Sequence, residues 1–451
     1  MSGAAIGLGW LGVARLGLVQ ACIGAIVVLT TSTLNRVMVV ELALPALVPG
    51  LLVALHYVVQ LLRPRMGFGS DLGGRRTPWI LGGMTLLALG GVGAAAATAW
   101  MGMQTGAGIA AASLAFLMIG VGVSAAGTNL LVLLAKSVDE SRRAPAATLV
   151  WIMMIVGFAL TAGSAGRFLD PYTPARLVAV TAVVSVLAML LSFTALLGLE
   201  PRVSLKAQSV EDEPRKPPFR EALAQVWREP RARHFTIFIF VSMLAFSAQD
   251  LILEPFAGLV FGYTPGQTTT LSGLQHGGGL AGMLLVALAC GPWARGHGGA
   301  VQTWVTGGCL VSALALAGLV LAGFAGPEWP LATNVFVLGA ANGAFSIAAI
   351  GAMMTLAGEG RERREGTRMG LWGAAQALAF GGGGLLGSVA SDVARAWLGS
   401  PGVAYAAVFG AEALLFVVSA WLALRIDGLP SSRTPRRASS PVVAQPGGNH
   451  G

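Results

Sequence analysis

The chain has 451 residues, of which 55% are hydrophobic and only 11% are charged, and its formal net charge is +9. Soluble globular proteins carry about 25% charged residues, so this composition excludes an ordinary soluble enzyme. Most of the positive charge lies in short segments between long apolar runs, a pattern typical of membrane orientation, and it does not indicate a nucleic-acid partner. The composition predicts an all-α integral membrane protein surrounded by membrane lipid.

Hydropathy predicts the number and the order of the membrane spans. A spanning helix needs roughly 20 apolar residues, and the sequence contains twelve runs of about this length. We expect membrane-spanning helices at residues 13–34, 43–62, 79–99, 107–135, 146–166, 176–198, 235–260, 271–290, 301–325, 331–356, 369–391 and 402–424.

Residues 199–234 form the longest polar interruption and divide these runs into six and six. We therefore expect an N-terminal six-helix half at 1–198, a cytoplasmic linker at 199–234 and a C-terminal six-helix half at 235–426. The Ser-, Pro- and Arg-rich segment 427–451 is expected to be a disordered cytoplasmic tail.

The distribution of basic residues predicts the orientation. All but four of the 29 Lys and Arg residues fall on one side of the predicted spans. The exceptions are Arg36, Arg167, Arg176 and Arg395. Because basic loops stay in the cytoplasm, both termini are expected on that side.

A glycine-rich polar hairpin lies between the second and third predicted spans, at residues 67–79. Its residues Gly67, Asp71, Gly74, Arg75 and Arg76 have the spacing G-x-x-x-D-x-x-G-[RK]-[RK]. This spacing resembles the loop signature of the major facilitator superfamily. The resemblance implies the fold of that superfamily, with parallel six-helix repeats, and a conformational latch at these five residues.

Polar side chains inside predicted spans, or directly beside them, are candidates for function, because each is costly in hydrocarbon unless it is paired or hydrated. Arg36 and Glu41 lie five residues apart, so they could pair with each other at the outer surface, or Asp250 could be the partner. The intramembrane candidates are Asn35, Arg36, Glu41, Gln249, Asp250, Glu254, Asn342 and Gln376.

Enzyme motifs are absent from the sequence. It contains no G-x-S-x-G, no Walker loop and no H-E-x-x-H, so we expect neither a catalytic site nor enzyme activity. Cys22, Cys290 and Cys309 lie in or beside apolar runs without C-x-x-C spacing. We therefore expect buried thiols, and no metal site or disulfide framework.

Four further motifs narrow the resemblance. They are Asn35-Arg36 with Glu41-Leu42, Arg76-Thr77-Pro78-Trp79-Ile80, Gln249-Asp250 with Ile252-Leu253-Glu254-Pro255, and Gly370-Leu371-Trp372-Gly373-Ala374-Ala375-Gln376. Together they resemble the PucC/LhaA family of phototrophic bacteria, a branch of the major facilitator superfamily. The resemblance covers roughly residues 13–425.

This resemblance implies a photosynthesis protein of the bacterial inner membrane, cytoplasmic or intracytoplasmic. Such a protein would deliver or insert bacteriochlorophyll, or a precursor, while light-harvesting antenna polypeptides assemble. No covalent cofactor is expected, and bacteriochlorophyll would be bound cargo. His56 and His276 lie in comparable spans of the two halves. Each could ligate pigment magnesium, relay protons or make a helix–helix hydrogen bond.

A second hypothesis is a proton-coupled secondary transporter of a small apolar or amphipathic solute. In this case Asp250, Glu254 or Glu41 would couple transport to protons. The few charges in the spans favour such a solute over an ion or a sugar phosphate.

Overall fold

The computed structural model of the protein describes residues 8–60, 75–200, 227–290, 301–358 and 365–426. These residues form twelve helices in chain order. They are α1 (Trp10–Glu41), α2 (Leu47–Val59), α3 (Thr77–Met101), α4 (Thr105–Ser137), α5 (Glu140–Leu169), α6 (Pro174–Leu196), α7 (Pro230–Phe261), α8 (Pro265–Cys290), α9 (Val301–Ala325), α10 (Leu331–Gly358), α11 (Glu365–Leu398) and α12 (Pro401–Leu424).

Within the described residues, eleven of the helices are long and apolar enough to cross a membrane. The exception is α2, an apolar helix whose described part has 13 residues. The chain is therefore a multi-pass membrane protein, whereas the count of twelve spans remains a prediction. Large apolar side chains such as Leu187, Leu288 and Leu314 are exposed, as expected of a surface that faces lipid hydrocarbon.

Helix α1 continues past residue 34, where the sequence analysis ended the first span, to Glu41. The predicted end was wrong because Arg36 does not interrupt the helix: its side chain pairs with Glu41. Two π-helical turns, Leu29–Thr33 and Val37–Glu41, lie in this part of α1. Such turns insert one residue into a helix and are frequent at functional sites.

The buried hydrophobic residues form two large clusters. One contains side chains from α1 to α6 with Leu251 of α7, and the other contains side chains from α7 to α12. The N-terminal six helices contact the C-terminal six through the pairs α1–α7, α1–α8, α2–α11 and α5–α8. The division into halves at residues 198 and 234, with a linker and a tail, remains a prediction.

Glycine permits the close approach of α5 and α8. A Cβ atom added to Gly266 would lie 2.5 Å from the carbonyl oxygen of Gly166, and one added to Gly273 would lie 2.5 Å from the nitrogen of Gly163. No side chain fits at such distances, so the two helix backbones pack directly against each other. The ends of α1, α5 and α7 and the beginnings of α2 and α8 lie at the same end of the bundle, here called the Glu41 end.

Candidate functional site

A buried polar layer joins α1 to α7 and α8. Ser32 donates a hydrogen bond to Glu254 Oε1, and its oxygen lies 3.2 Å from the Ser272 oxygen. Next to this contact, on the side of the Glu41 end, the Thr33 and Thr269 hydroxyls lie 3.0 Å apart. Glu254 is 2% exposed, and its Oε2 has no hydrogen-bond partner within the described chain. A carboxyl group is therefore enclosed at the contact between the two sets of six helices.

Arg36 contacts both sets of helices. Its guanidinium forms an ion pair with Glu41 and donates to the carbonyl oxygen of Tyr263, just after α7, at 2.6 Å. The π-helical turn between Arg36 and Glu41 brings residues five apart onto one face. Of the alternatives left open by the sequence, the structure shows the pairing with Glu41. Because Arg36 is only 2% exposed, the pair does not lie wholly at the surface.

A cleft of about 560 Å³ opens beside this ion pair. Its lining residues are Arg36, Glu41, Asp170, Pro171, Tyr172, Gly258, Gly262, Tyr263, Thr264 and Pro265. Burial raises the pKa of the Tyr172 phenol, in the loop after α5, and the negative charge of Glu41 raises it further. This phenol therefore lines the cleft as a neutral hydrogen-bond donor.

Asn35 extends the contact with α7: its side-chain nitrogen donates to the carbonyl oxygen of Leu251 at 2.5 Å. Gln249 is fully buried, and neither of its amide atoms has a hydrogen-bond partner among the described residues. Asp250 lies near the side chain of Gln275 and close enough to Glu412 for their charges to interact. Helix α7 thus carries an unusual concentration of buried polar groups.

Two of the candidates lie elsewhere. Asn342 on α10 accepts a hydrogen bond from Ser312 at 2.8 Å, which joins α10 to α9. Gln376 is partly buried on α11. Neither residue has a described contact with the layer around Glu254, so the structure does not bring all eight candidates together.

The two histidines differ in their hydrogen bonds. His276 Nδ1 lies 2.8 Å from the carbonyl oxygen of Ser272. Since a carbonyl can only accept, Nδ1 carries the hydrogen, and the neutral ring keeps its lone pair on Nε2. The described part of the chain offers Nε2 no hydrogen-bond partner. The ring also contacts Phe158 of α5 edge to face, with centroids 5.0 Å apart.

His56 is 2% exposed, and its Nε2 lies 2.9 Å from the side-chain nitrogen of Gln60, one turn along α2. Because an amide nitrogen donates, this contact occupies the Nε2 lone pair of His56. The two histidines therefore have equivalent places in the sequence but different chemistry, and only His276 retains an available ring nitrogen.

Of the five latch residues, Gly67, Asp71 and Gly74 lie outside the described residues. Arg75 is exposed and Arg76 is buried. The carboxylate of Glu200, after α6, accepts backbone hydrogen bonds from Arg76 at 2.7 Å and Thr77 at 2.9 Å, at the start of α3. Burial alone would raise the pKa of Glu200, but these bonds and the Arg75 charge bring it below its ordinary value.

No group of three or more His, Cys, Asp or Glu residues that could hold a metal occurs within the described ranges. Cys22 and Cys309 are buried, as expected. Cys290, at the end of α8, is exposed, so the expectation of a buried thiol is wrong there. Cys290 is the last residue of α8, and Leu288 in the same turn is exposed as well.

The fold and the family follow from comparison with known proteins. Residues 33–428 match the family model described as "PUCC protein". The chain belongs to the PucC family. It is 53% identical over 438 residues to the "Bacteriochlorophyll synthase 44.5 kDa chain" of Rhodobacter capsulatus. The match covers 97% of this chain and 100% of that protein. It is 32% identical to "Protein PucC" of Cereibacter sphaeroides, and the match covers 88% of each chain.

Solved transporter structures share the fold of this PucC-family protein. A D-xylose–proton symporter superimposes with a TM-score of 0.66 at 14% identity, over 92% of this chain and 97% of that one. The nucleoside transporter NupG superimposes with a TM-score of 0.64 at 16% identity, over 92% and 98%. At this identity the likeness shows the fold alone, and the fold is that of the major facilitator superfamily, as the hairpin motif predicted.

Sequence reasoning missed several residues of the site. Ser32 and Ser272 complete the layer around Glu254, but serines are common in membrane helices and carry no distinguishing pattern. Asp170 and Asp392 were overlooked because each lies near the end of a predicted span, where an acidic residue is ordinary. Their partners belong to the other set of six helices, so no local spacing reveals them.

Proposed function

We propose that this protein delivers or inserts bacteriochlorophyll, or a precursor of it, during light-harvesting complex assembly, and that it is not an enzyme. The observation that carries the proposal is the 53% identity, over 97% of the chain, to a relative whose name refers to bacteriochlorophyll. The scaffold is a transporter fold, which suits movement or presentation of a ligand better than catalysis. The partners would be pigment, antenna polypeptides and membrane lipid.

His276 is the residue that we assign to the pigment. Magnesium in a chlorin accepts an axial nitrogen ligand, and the Ser272 carbonyl holds the His276 tautomer whose Nε2 presents a lone pair. The hydrogen bond from Gln60 makes His56 unsuitable for this role. Of the two histidines named from the sequence, we retain His276 as a ligand and regard His56 as structural.

The protein would lie in the bacterial inner membrane with both termini in the cytoplasm. The support is the asymmetry of basic residues, all but four of which fall on the side of the termini. In this orientation the Glu41 end faces the periplasm, and the 67–79 hairpin faces the cytoplasm. The latch role of Gly67, Asp71, Gly74, Arg75 and Arg76 remains part of the proposal.

Deletion of the gene in a phototrophic host tests the assembly role. The expected result is a loss of antenna complexes while pigment synthesis continues, and complementation with the intact gene restores the antenna. Because related genes can compensate, the deletion is made in a strain that also lacks its PucC-family paralogues. Normal antenna assembly with normal kinetics in that strain would refute the proposal.

A second function, proton-coupled transport of a small apolar or amphipathic solute, is favoured by one observation. Glu254 is a buried carboxyl at the contact between the two sets of helices, and Arg36, the cation near it, is already paired with Glu41. Such a carboxyl is costly in hydrocarbon unless it is neutralised, for which a proton suffices. Glu254→Gln and Asp250→Asn should then abolish proton-driven uptake, and unchanged uptake in both would exclude this coupling.

A further inference from the structure

Two aspartates at the Glu41 end each bind the beginning of a helix in the opposite set of six. Asp170, directly after α5, accepts hydrogen bonds from the Thr264 hydroxyl at 2.6 Å and from the Gly266 backbone nitrogen at 3.2 Å. These two residues lie at the start of α8. A carboxylate from the N-terminal six helices therefore caps a helix of the C-terminal six.

Asp392 on α11 makes the reciprocal contact. Its two oxygens accept hydrogen bonds from the backbone nitrogens of Ala46 at 3.0 Å and Leu47 at 2.8 Å, at the start of α2. Arg395, one turn along α11, forms an ion pair with Asp392 and orients it. No side chain of the α2 N-cap residue, Ala46, bonds to the first turn, so α2 depends on Asp392 for its cap.

The two contacts are equivalent in the order of the helices. Counted within each set of six, α2 corresponds to α8 and α5 corresponds to α11. In both contacts the fifth helix of one set supplies an acid to the second helix of the other. An acid at a helix N-terminus satisfies exposed N–H groups and opposes the positive end of the helix dipole. Caps usually come from the capped helix itself, whereas these two cross between the sets.

We propose that Asp170 and Asp392 are the paired closing device of the Glu41 end. Opening of this end must separate α5 from α8 and α2 from α11, which breaks both caps in the same movement. The closed end is held further by Arg36, which binds the carbonyl oxygen of Tyr263 across α1 and α7. This device holds for either function proposed above, because it concerns only which end of the protein is accessible.

Hydrogen exchange distinguishes two caps that open together from two caps that open independently. In purified full-length protein in lipid nanodiscs, the backbone amides of Ala46, Leu47 and Gly266 exchange only when a cap opens. Asp170→Ala should accelerate exchange at Ala46 and Leu47, on the helix that it does not touch, by roughly fivefold, the usual effect of a lost cap. Asp392→Ala should likewise accelerate exchange at Gly266.

Two further variants complete the test. Gly266→Ala places a methyl group against the Asp170 carboxylate and the Gly166 backbone, so it should reproduce the effect of Asp170→Ala without removal of an acid. Asp139→Ala is the matched control, because Asp139, the residue before α5, forms an exposed ion pair with Arg142 and its side chain caps no helix. This variant should change neither region. Acceleration confined to the helix whose own cap is removed would overturn the proposal.

Discussion

Ser32 on α1 donates a hydrogen bond to the carboxyl of Glu254 on α7, and this contact joins the two sets of six helices inside the membrane. Ser272 on α8 approaches the same hydroxyl at 3.2 Å. Three helices thus meet at one carboxyl group, which has no hydrogen bond to its second oxygen from any described residue. Loss of a hydrogen bond in this layer should therefore weaken the contact between the two sets.

Ser32→Ala should lower the free energy of unfolding by about 1–3 kcal/mol, because it removes a partner from a buried carboxyl that has few others. Denaturant or thermal unfolding in detergent measures this loss. The control is Ser164→Ala, since Ser164 is exposed and its hydroxyl bonds to the Leu160 carbonyl of its own helix. That variant should stay within about 0.5 kcal/mol of the natural protein, and equal losses in both variants would contradict the interpretation.

Gly258→Ala should disturb the Arg36 ion pair. A Cβ atom at this position would lie 3.2 Å from Arg36 Nε and 3.1 Å from a methyl carbon of Val40. The guanidinium would have to shift slightly, which weakens its hydrogen bond to the Tyr263 carbonyl. Such overpacking costs about 1–3 kcal/mol of stability, which unfolding in detergent measures. Gly163→Ala is the control, since no atom lies within 4 Å of its added Cβ. A Gly258→Ala protein as stable as that control would show that Arg36 tolerates displacement.

Much of the fold could be predicted from hydropathy, because each helix must satisfy its own backbone in lipid and therefore leaves a long apolar run. The end of α1 could not be predicted in this way. A charged residue such as Arg36 normally indicates the end of a span, and its pairing with Glu41 is visible only in the structure. Arg36, Glu41 and Glu254 could be identified as candidates from the sequence, because a charged side chain is costly in hydrocarbon. The sequence could not distinguish His56 from His276, because the difference lies in their hydrogen bonds to Gln60 and the Ser272 carbonyl.

Glu200 should make stability depend on pH on the acid side. Burial opposes ionisation of this carboxyl, but the hydrogen bonds from Arg76 and Thr77 lower its pKa below the ordinary value of 4.5. A carboxyl with a lowered pKa in the folded state stabilises the protein above its unfolded-state pKa, and this contribution is lost as the pH falls through the folded-state value.

The measurement is the midpoint of thermal unfolding from neutral pH to about pH 3, compared between the natural protein and Glu200→Gln. We expect the difference between the two midpoints to be largest near neutrality and to shrink below the ordinary pKa of 4.5. A difference that stays constant with pH would show that the Glu200 charge does not contribute. Asp139→Asn serves as a control for an exposed acid.

The absorbance spectrum of protein purified gently from pigment-producing cells shows whether this protein binds bacteriochlorophyll. We predict bound bacteriochlorophyll or a precursor in the natural protein and in His56→Ala, and a severalfold lower ratio of pigment to protein in His276→Ala. Equal pigment in both histidine variants would refute the assignment of the ligand alone. Natural protein that is folded but carries no pigment, and takes none up when bacteriochlorophyll is added, would contradict the proposed role in pigment delivery.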